Sequence, residues 1–368
     1  MSDQPSALSP LRAMTSLLPI IAAANPSRLS AASTIAKLGA ACGATLGAIM
    51  LAIAPMAHAD VSLLNVSYDV TRELFRDINP AFAATWKKTT GESVTITQSH
   101  GGSSSQARSV AEGLEASVVT MNQSNDIDFL VDRGLVAKDW SKRFPDNAAP
   151  FYSTMVYLTR KGNPKNIHDW TDLAKPGIDV IIPNPKTSGN GRYSYLAVWG
   201  SVIKRGGTEA QARDLVGRVF RNVPILDAGG RAATNTFTQR NIGDVLVTFE
   251  NEALLASREF GDKFDIVYPA SSILAESPVA VVDKVADQRG LRKQATAYLQ
   301  FLYSEQAQEI IAQHAFRPRS EAVAKKYAAT FKPVALFTVD ETFGGWKNAQ
   351  KKHFAEGGEF DRIYQGRN

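Results

Sequence analysis

Four short turns rich in Gly, Ser and Asp are the part of this chain best suited to chemistry, because each is predicted to lie between a strand and a helix. They are SYDVTREL (67–74), SHGGSSSQARS (99–109), PKTSGNGRYSY (185–195) and LDAGGRAATNTF (226–237). The first residues of a helix carry backbone N–H groups with no intrahelical acceptor, and the helix dipole adds partial positive charge there. Four such turns in one chain predict a cradle for a small anion, built from peptide dipoles and hydroxyls instead of counter-charges.

Residues that could carry out catalysis are scarce. The nucleophile elbow G-x-S-x-G, the zinc motif H-E-x-x-H and the phosphate loop G-x-x-x-x-G-K-[ST] do not occur. His168 and Asp169 lie at a predicted helix start, so His168 is interpreted as a capping or surface residue. We therefore predict no catalytic residue, no metal and no cofactor. One alternative stays open: a secreted hydrolase of sulfate or phosphate esters would need His100 within about 3 Å of Ser103 in a cleft.

Strands and helices must position these turns, and the hydrophobic pattern predicts that the two alternate. VSLLNVSY (61–68) is predicted as a buried strand, followed by a helix with Asp69 as its N-cap. Further strands are predicted at 93–99, 117–123, 154–162, 179–185, 223–230, 244–253 (running into a helix), 264–269 and 279–285, and long helical segments at 290–313 and 341–368. Such alternation predicts a mostly parallel α/β architecture, in which ligands bind at the carboxyl ends of strands. The four turns are therefore expected to converge on one face, or on two faces that meet across a cleft.

The first 59 residues differ from the rest of the chain. They contain three basic residues and one acidic residue, and the run LGAACGATLGAIMLAIAPMA (38–57) is uncharged and is closed by the A-x-A sequence of 57–59. A basic stretch, an apolar stretch and an A-x-A site describe a secretory signal peptide, which predicts that 1–59 is removed. An uncleaved anchor helix is the alternative.

Composition limits what the remaining chain can do. The leader contributes +2 of the formal net charge of +5, so 60–368 would carry about +3 over 309 residues. That length suffices for two domains with sizeable cores. Cys42 is the only cysteine and lies in the leader, so the mature chain would have no disulfide and no Cys-ligated metal. The positive charge is spread without a basic run, which argues against nucleic acid as a partner.

From residue 60 onwards the chain resembles the periplasmic sulfate/thiosulfate-binding proteins of ABC importers along essentially its whole length. The motifs that carry the resemblance are NVSYDVTREL, QSHGGSSSQA, RKGNPKNIHDW, PNPKTSGNGRYSYLAVWG, GGRAATNTF, GDVLVTFENEALL, SILAE and FGGW. The resemblance implies a type II periplasmic-binding-protein fold, in which two α/β lobes close over a dehydrated dianion. It also implies that 60–155 with 268–330 forms lobe I, and that 156–267 with 331–368, including the C-terminal helices, forms lobe II.

The same resemblance implies which residues contact the ligand, mainly through neutral N–H and hydroxyl groups. These contacts are assigned to Asp69, Ser103, Ser188, Gly189, Asn190 and Gly230. Arg231 resembles the family arginine that bonds peptide groups behind the anion, so its effect would be indirect.

Two positions depart from the sulfate-binding members of the family and resemble the thiosulfate-binding branch. Those members have a Trp where this chain has Phe249, so an indole N–H donor is missing here. They also have an apolar stretch where this chain has Met121-Asn122-Gln123-Ser124. Asn122, Gln123 or Ser124 could replace the lost donor, and Gln123 and Phe249 are the two residues assigned to the site; a solvated hinge loop is the other interpretation of 122–124. The weakly accepting sulfur of thiosulfate suits an apolar Phe249.

The resulting prediction is a periplasmic receptor that is monomeric and not an enzyme. It would capture thiosulfate or sulfate and deliver it to the membrane permease of an ABC importer for sulfur uptake. Within the same class, a receptor for phosphate or molybdate is the alternative. Phosphate is often protonated at neutral pH, so it would need an acceptor that points into the site.

Overall fold

The computed structural model describes residues 61–365, so the predicted leader of 1–59 lies outside the described residues. Within that part, no helix is long and apolar enough to cross a membrane. Its strands are β1 (Val61–Tyr68), β2 (Val94–Gly101), β3 (Val118–Thr120), β4 (Phe151–Arg160), β5 (Val180–Ile181), β6 (Val245–Phe249), β7 (Phe264–Val267), β8 (Ser271–Glu276), β9 (Val279–Val281), β10 (Arg317–Pro318) and β11 (Ala335–Phe337).

The helices of the described residues are mostly short. They are α1 (Arg72–Thr90), α2 (Ser103–Ala111), α3 (Ser124–Val131), α4 (Pro145–Ala148, with left-handed φ at Asp146 and Asn147), α5 (Gly189–Lys204), α6 (Glu209–Arg221), α7 (Gly230–Thr238), α8 (Glu250–Phe260), α9 (Asp283–Gln288), α10 (Arg292–Phe301), α11 (Glu305–Gln313), α12 (Glu321–Lys326), α13 (Val339–Phe343), α14 (Trp346–Ala349) and α15 (Glu359–Gln365). The 3₁₀ turns Asp69–Thr71, Trp140–Lys142 and Trp170–Ala174 and the π turn Gln350–Phe354 connect some of them.

The first sheet has the strand order β2-β1-β3-β9. β1 pairs in parallel with both β2 and β3, whereas β9 runs antiparallel on β3. Because parallel strands end at the same edge of a sheet, the segments that follow β1, β2 and β3 start side by side. This edge therefore collects the turn at Asp69 and the starts of α2 and α3.

The second sheet has the order β11-β8-β4-β6-β5, and β7 and β10 also pair with β4. The expectation of mostly parallel strands is wrong here, because β4 runs antiparallel to β6, β7, β8 and β10. β4 leads the chain away from the first sheet and β8 leads it back to β9, so these two neighbours must run in opposite directions. The expected lobe boundary at 155/156 falls inside β4.

The elements agree best with the sequence-based expectation where an apolar face is continuous. α1 buries Leu74, Phe75, Ile78, Phe82 and Trp86, the spacing that predicted it. The expected strand at 223–230 is absent from the described structure, where that segment is irregular until α7 begins. The expected helix over 290–313 is divided into α10 and α11, since the Ser304 side chain accepts the Ala307 N–H and starts a new helix.

The C-terminal segment also differs from the single helix expected over 341–368. Short helices from α13 to α15 alternate with glycine turns at 344–345 and 357–358. Gly344, Gly345 and Gly357 have φ of 68°, 91° and 69°, values that other residues adopt only with strain. Gly344 therefore ends α13, Gly345 precedes α14 and Gly357 lies in the turn before α15. Residues 366–368 lie outside the described residues.

Candidate functional site

The predicted ligand contacts share one structural feature, which is that they lie at helix starts. Asp69 opens a 3₁₀ turn, Ser103 opens α2, Gln123 is the N-cap of α3, Ser188 is the N-cap of α5 with Gly189 and Asn190 as its first residues, Gly230 opens α7, and Phe249 is the N-cap of α8. Such positions present backbone N–H groups without an acceptor in their own helix. The helix starts suit an anion, as the sequence predicted.

Close contacts connect the helix starts of the first sheet with those of the second. A Cβ built on Gly189 would lie 2.2 Å from Oδ1 of Asn122, so the Asn122 side chain packs directly on the Gly189 backbone, where only glycine leaves room for it. A Cβ on Gly229, the N-cap of α7, would lie 3.7 Å from Oδ2 of Asp69. The structure therefore brings β1, β3, α5 and α7 together around one cleft.

The turn before α5 is held by its own side chains. Oγ of Ser188 accepts the N–H of Gly191 at 3.3 Å, and Nδ2 of Asn190 donates to Thr248 at 3.1 Å. A Cβ on Gly191 would lie 2.3 Å from the Pro183 carbonyl oxygen, so only glycine fits there. Because the side-chain amide of Asn190 bonds to Thr248, the backbone N–H of Asn190 is its donor best placed for an anion. A Cβ on Gly230 would lie 3.0 Å from that same amide, which places the start of α7 beside the start of α5.

A buried carboxylate organises the helix starts of α2 and α3. Asp126 is 4% exposed and accepts hydrogen bonds from Oγ of Ser103 at 2.6 Å, Oγ of Ser104 at 2.8 Å and Nε2 of Gln123 at 2.8 Å. Oγ of Ser103 also accepts the N–H of Asn122 at 3.2 Å. The Ser103 hydroxyl and the Gln123 amide therefore point to Asp126 instead of offering their protons to a ligand. The Ser103 backbone N–H, at the first position of α2, remains as its donor.

Asp69 differs slightly from the sequence-based expectation. It is the first residue of its turn, and Tyr68 takes the N-cap position. Burial raises the pKa of its carboxylate, and Arg231 and the nearby backbone N–H groups of Asp69 and Val70 partly offset this rise. The Asp69 N–H, in the first residue of the turn, remains a donor that could face an anion.

The arginine of the fourth turn pairs with carboxylates. Arg231 lies 3.2 Å from Oε2 of Glu73 and 3.4 Å from Oε1 of Glu252. Glu73 belongs to α1 beside the first sheet, whereas Glu252 belongs to α8 beside the second. Arg231 therefore joins the two sides of the cleft behind the helix starts, an arrangement consistent with an indirect role.

Glu252→Gln is expected to flatten the pH dependence of stability. Burial, only partly offset by Arg231, raises the pKa of Glu252 from 4.5 to about 7. Since the folded protein binds this proton more tightly than the unfolded chain, the stabilisation is complete below pH 4.5 and is lost as the pH rises through about 7. The wild-type free energy of unfolding should fall, relative to the variant, by up to about 1.4 kcal/mol per pH unit in that window. Urea denaturation across the window measures this, and equal slopes for both proteins would refute it.

Two further cations of the third turn are bonded away from the helix starts. Lys186 donates to the carbonyl oxygens of Phe354 and Ala355 and to Asp361. Arg192 donates to the Pro185 carbonyl oxygen and, at 3.0 Å, to Oγ of Ser104 across the cleft. The positively charged groups of this turn therefore bond to other protein groups instead of facing the helix starts.

Phe249 ends β6 and faces a small cavity. Its ring packs edge-on against Tyr193 at 5.7 Å between centroids. The cavity is lined by Tyr68, Asn122, Ser153, Phe249, Ala275, Glu276 and Ser277. The aromatic face thus meets polar groups of the first sheet and of the β4–β8 pair, close to where Asn122 touches Gly189.

The geometry required for an ester hydrolase is not met. Nδ1 of His100 bonds to Oγ of Ser67 at 2.8 Å, and the Ser103 hydroxyl bonds to Asp126. Burial also lowers the pKa of His100 to about 4, so it is a weak base. His168 is exposed and bonds to Asn166, as expected for a surface residue. Among residues 61–365 no cluster of His, Cys, Asp or Glu could hold a metal ion.

Sequence reasoning missed two residues that the structure places at the site. Asp126 was missed, although the first acidic residue of SNDIDFLV could have indicated a partner for the preceding serines. Glu252 was also missed, and the pattern of α8 carries no signal for its burial. Ser124, a third candidate donor, opens α3 and borders a separate pocket that includes Trp140.

Comparison with known proteins was informative at both the sequence and the structure level. The family model for a bacterial extracellular solute-binding protein matches residues 63–317. A thiosulfate-binding protein from Pseudomonas aeruginosa is 56% identical over 87% of this chain and 97% of its own length. A sulfate-binding protein from Escherichia coli is 55% identical over 85% of this chain and 96% of its own. The solved sulfate-binding protein SubI from Mycobacterium tuberculosis H37Rv is 36% identical with a TM-score of 0.72, covering 79% of this chain and 98% of that one.

Proposed function

The chain belongs to the family of bacterial extracellular solute-binding proteins, and on that premise we propose that it captures thiosulfate or sulfate and delivers it to the permease of an ABC importer. The fold is that of the periplasmic binding proteins. Its relatives of 56% and 55% identity are named for thiosulfate and for sulfate, so overall identity does not separate the two anions. A preference for thiosulfate or for sulfate must therefore depend on the residues that contact the anion.

The observation that carries this proposal is the convergence of helix starts from both sheets on one cleft whose neighbouring cations are already paired. Arg231, Arg192 and Lys186 each bond to other protein groups. A dianion held by neutral N–H groups keeps strong, charge-assisted hydrogen bonds without a neutralising partner. Desolvation of the dianion offsets much of that gain. We therefore expect micromolar affinity, about −8 kcal/mol.

The contacts follow from the positions of the residues. Gly189, Asn190 and Gly230 would donate their backbone N–H groups from the second sheet's side, and Ser188 would stay as the cap of α5. Ser103 and Asp69 would donate their backbone N–H groups from the first sheet's side. Phe249 would form an apolar wall.

The remaining assignments belong to the same proposal. We take 60–155 with 268–330 as one lobe and 156–267 with 331–368 as the other, with β4 and β8 crossing between them. Removal of 1–59 would release a periplasmic, monomeric protein. The protein would have no catalytic role, in keeping with relatives that are named as binding proteins.

Isothermal titration tests the proposal directly. Protein exported from cells that express the full chain is titrated with thiosulfate, sulfate, phosphate and molybdate side by side. We expect one site per chain, micromolar affinity for thiosulfate, measurable binding of sulfate and at least about 100-fold weaker binding of phosphate, which is a difference of about 2.7 kcal/mol. Preferential binding of phosphate or molybdate, or no binding of any anion, would refute the proposal.

A further inference from the structure

Asn122 is a buried amide whose side chain has no hydrogen-bond partner among the described residues. It follows β3 and is 6% exposed, and its backbone N–H donates to Oγ of Ser103. Its Oδ1 is fully buried and unpaired. An unpaired buried polar group costs about 1–3 kcal/mol. Nδ2 of the same amide also has no hydrogen-bond partner among the described residues, so it can donate to a group that is not part of the protein.

The position of this amide points to the anion cleft. It lies directly on Gly189, where an added Cβ would be 2.4 Å from Nδ2 and 2.6 Å from Cγ. It also lines the cavity that Phe249 faces. The amide therefore lies between the first residue of α5, a donor from the second sheet's side, and the apolar ring that stands in the place of an indole donor.

Other polar groups around this cavity are already bonded. The Tyr68 hydroxyl bonds to Oγ of Ser277 at 2.8 Å, and Oγ of Ser153 bonds to Oδ1 of Asn251 at 3.0 Å. Nε2 of Gln123 bonds to Asp126 and Ser104, which leaves only its acceptor Oε1 free. An acceptor cannot bond to the oxygen of a dianion. Asn122 also has an unpaired acceptor, but its Nδ2 is bonded to no described residue, so this nitrogen is the group best placed to donate.

We propose that the Asn122 carboxamide donates its Nδ2–H to an oxygen of the bound dianion and so replaces the donor that Phe249 lacks. This inference rests on the proposed function and concerns the same site. With Asn122 on one side and Phe249 on the other, a thiosulfate ion can direct its oxygens to donors and its sulfur to the ring. Sulfate would leave one oxygen against an apolar surface, which costs affinity.

Substitution of Asn122 separates a ligand contact from a structural role. Asn122→Ala should weaken both thiosulfate and sulfate by about 10- to 100-fold, the range for one hydrogen bond to a charged group. Asn122→Asp keeps the shape but sets a carboxylate against the dianion, so binding should fall by more than about 100-fold. Adding Phe249→Trp to Asn122→Ala should restore sulfate binding by at least about 10-fold and thiosulfate binding by less, because the indole N–H returns a donor for an oxygen.

Asn125→Ala is the matched control, since it makes the same change three residues later in a side chain that lines a different groove, with Arg108 and Phe129, and not the cavity that Phe249 faces. It should bind both anions as the wild type does. Circular dichroism confirms folding. If Asn122→Ala is unstable, the anion affinities of Asn122→Asp test in its place whether Asn122 contacts the ligand. Wild-type affinities in a folded Asn122→Ala or Asn122→Asp variant, or no selective gain of sulfate binding in the double variant, would overturn the inference. Absence of anion binding by the wild type would instead refute the proposed function.

Discussion

Gly189→Ala is expected to reduce thiosulfate affinity by about 100-fold. The added Cβ would lie 2.2–2.6 Å from the atoms of the Asn122 amide, which contacts Gly189 from across the cleft. The amide must then move, and the helix starts can no longer approach as closely. An overpacked contact of this kind costs about 1–3 kcal/mol, and the upper part of that range corresponds to 100-fold in affinity.

Gly217→Ala provides the matched control for that substitution. Gly217 lies inside α6, and its added Cβ would have only ordinary contacts at 3.8 and 3.9 Å. The change should leave anion binding unaltered and stabilise the protein by about 0.5–1 kcal/mol, because Gly is unfavourable within a helix. Isothermal titration and thermal unfolding of both variants measure the contrast. Equal anion affinities in Gly189→Ala and Gly217→Ala would show that the close contact between Gly189 and Asn122 is not needed for anion binding.

Asp126→Ala is expected to lower the free energy of unfolding by about 3 kcal/mol and to weaken anion binding as well. The carboxylate accepts hydrogen bonds from Ser103, Ser104 and Gln123. Each buried donor left unpaired costs about 1–3 kcal/mol, although relaxation and water recover part of the sum. The start of α2 loses its anchor in the variant, so the Ser103 N–H is no longer held toward the cleft.

Asp132→Ala removes the same charge from an exposed residue at the end of α3 and serves as the control. Its effect should stay within about 0.5 kcal/mol, as for most surface substitutions. Urea denaturation gives both free energies of unfolding, and titration with thiosulfate gives both affinities. If Asp126→Ala destabilised the protein no more than Asp132→Ala, the carboxylate would not be organising these two helix starts.

Backbone features of the site could be predicted from the sequence. The turns rich in Gly, Ser and Asp predicted helix starts near Ser103, Gly189 and Gly230, and α2, α5 and α7 begin at these residues in the structure. Local patterns suffice for these positions because helix starts depend on nearby residues. The strand expected before Gly230 was wrong, since an apolar run such as VPIL forms a strand only when a neighbour pairs with it.

Side-chain partners at the site could not be predicted in the same way. Ser103 and Gln123 were assigned to the ligand, but Asp126, 23 and 3 residues away, accepts hydrogen bonds from the Ser103 hydroxyl and the Gln123 amide. The choice of Asn122 over Gln123 as the ligand donor depends on which amide Asp126 engages. Such choices are made by tertiary packing, and a single sequence does not record them.

Amide chemical shifts test the central claim, that backbone N–H groups at helix starts hold the anion. Proton–nitrogen correlation spectra of the exported, isotope-labelled protein are recorded during titration with thiosulfate. The amide protons of Ser103, Gly189, Asn190 and Gly230 should move strongly downfield and saturate at one equivalent, because they form new hydrogen bonds to an anion. Unchanged amide shifts at these four residues, with the largest changes at the groove that contains Arg108 and Lys347, would contradict the claim.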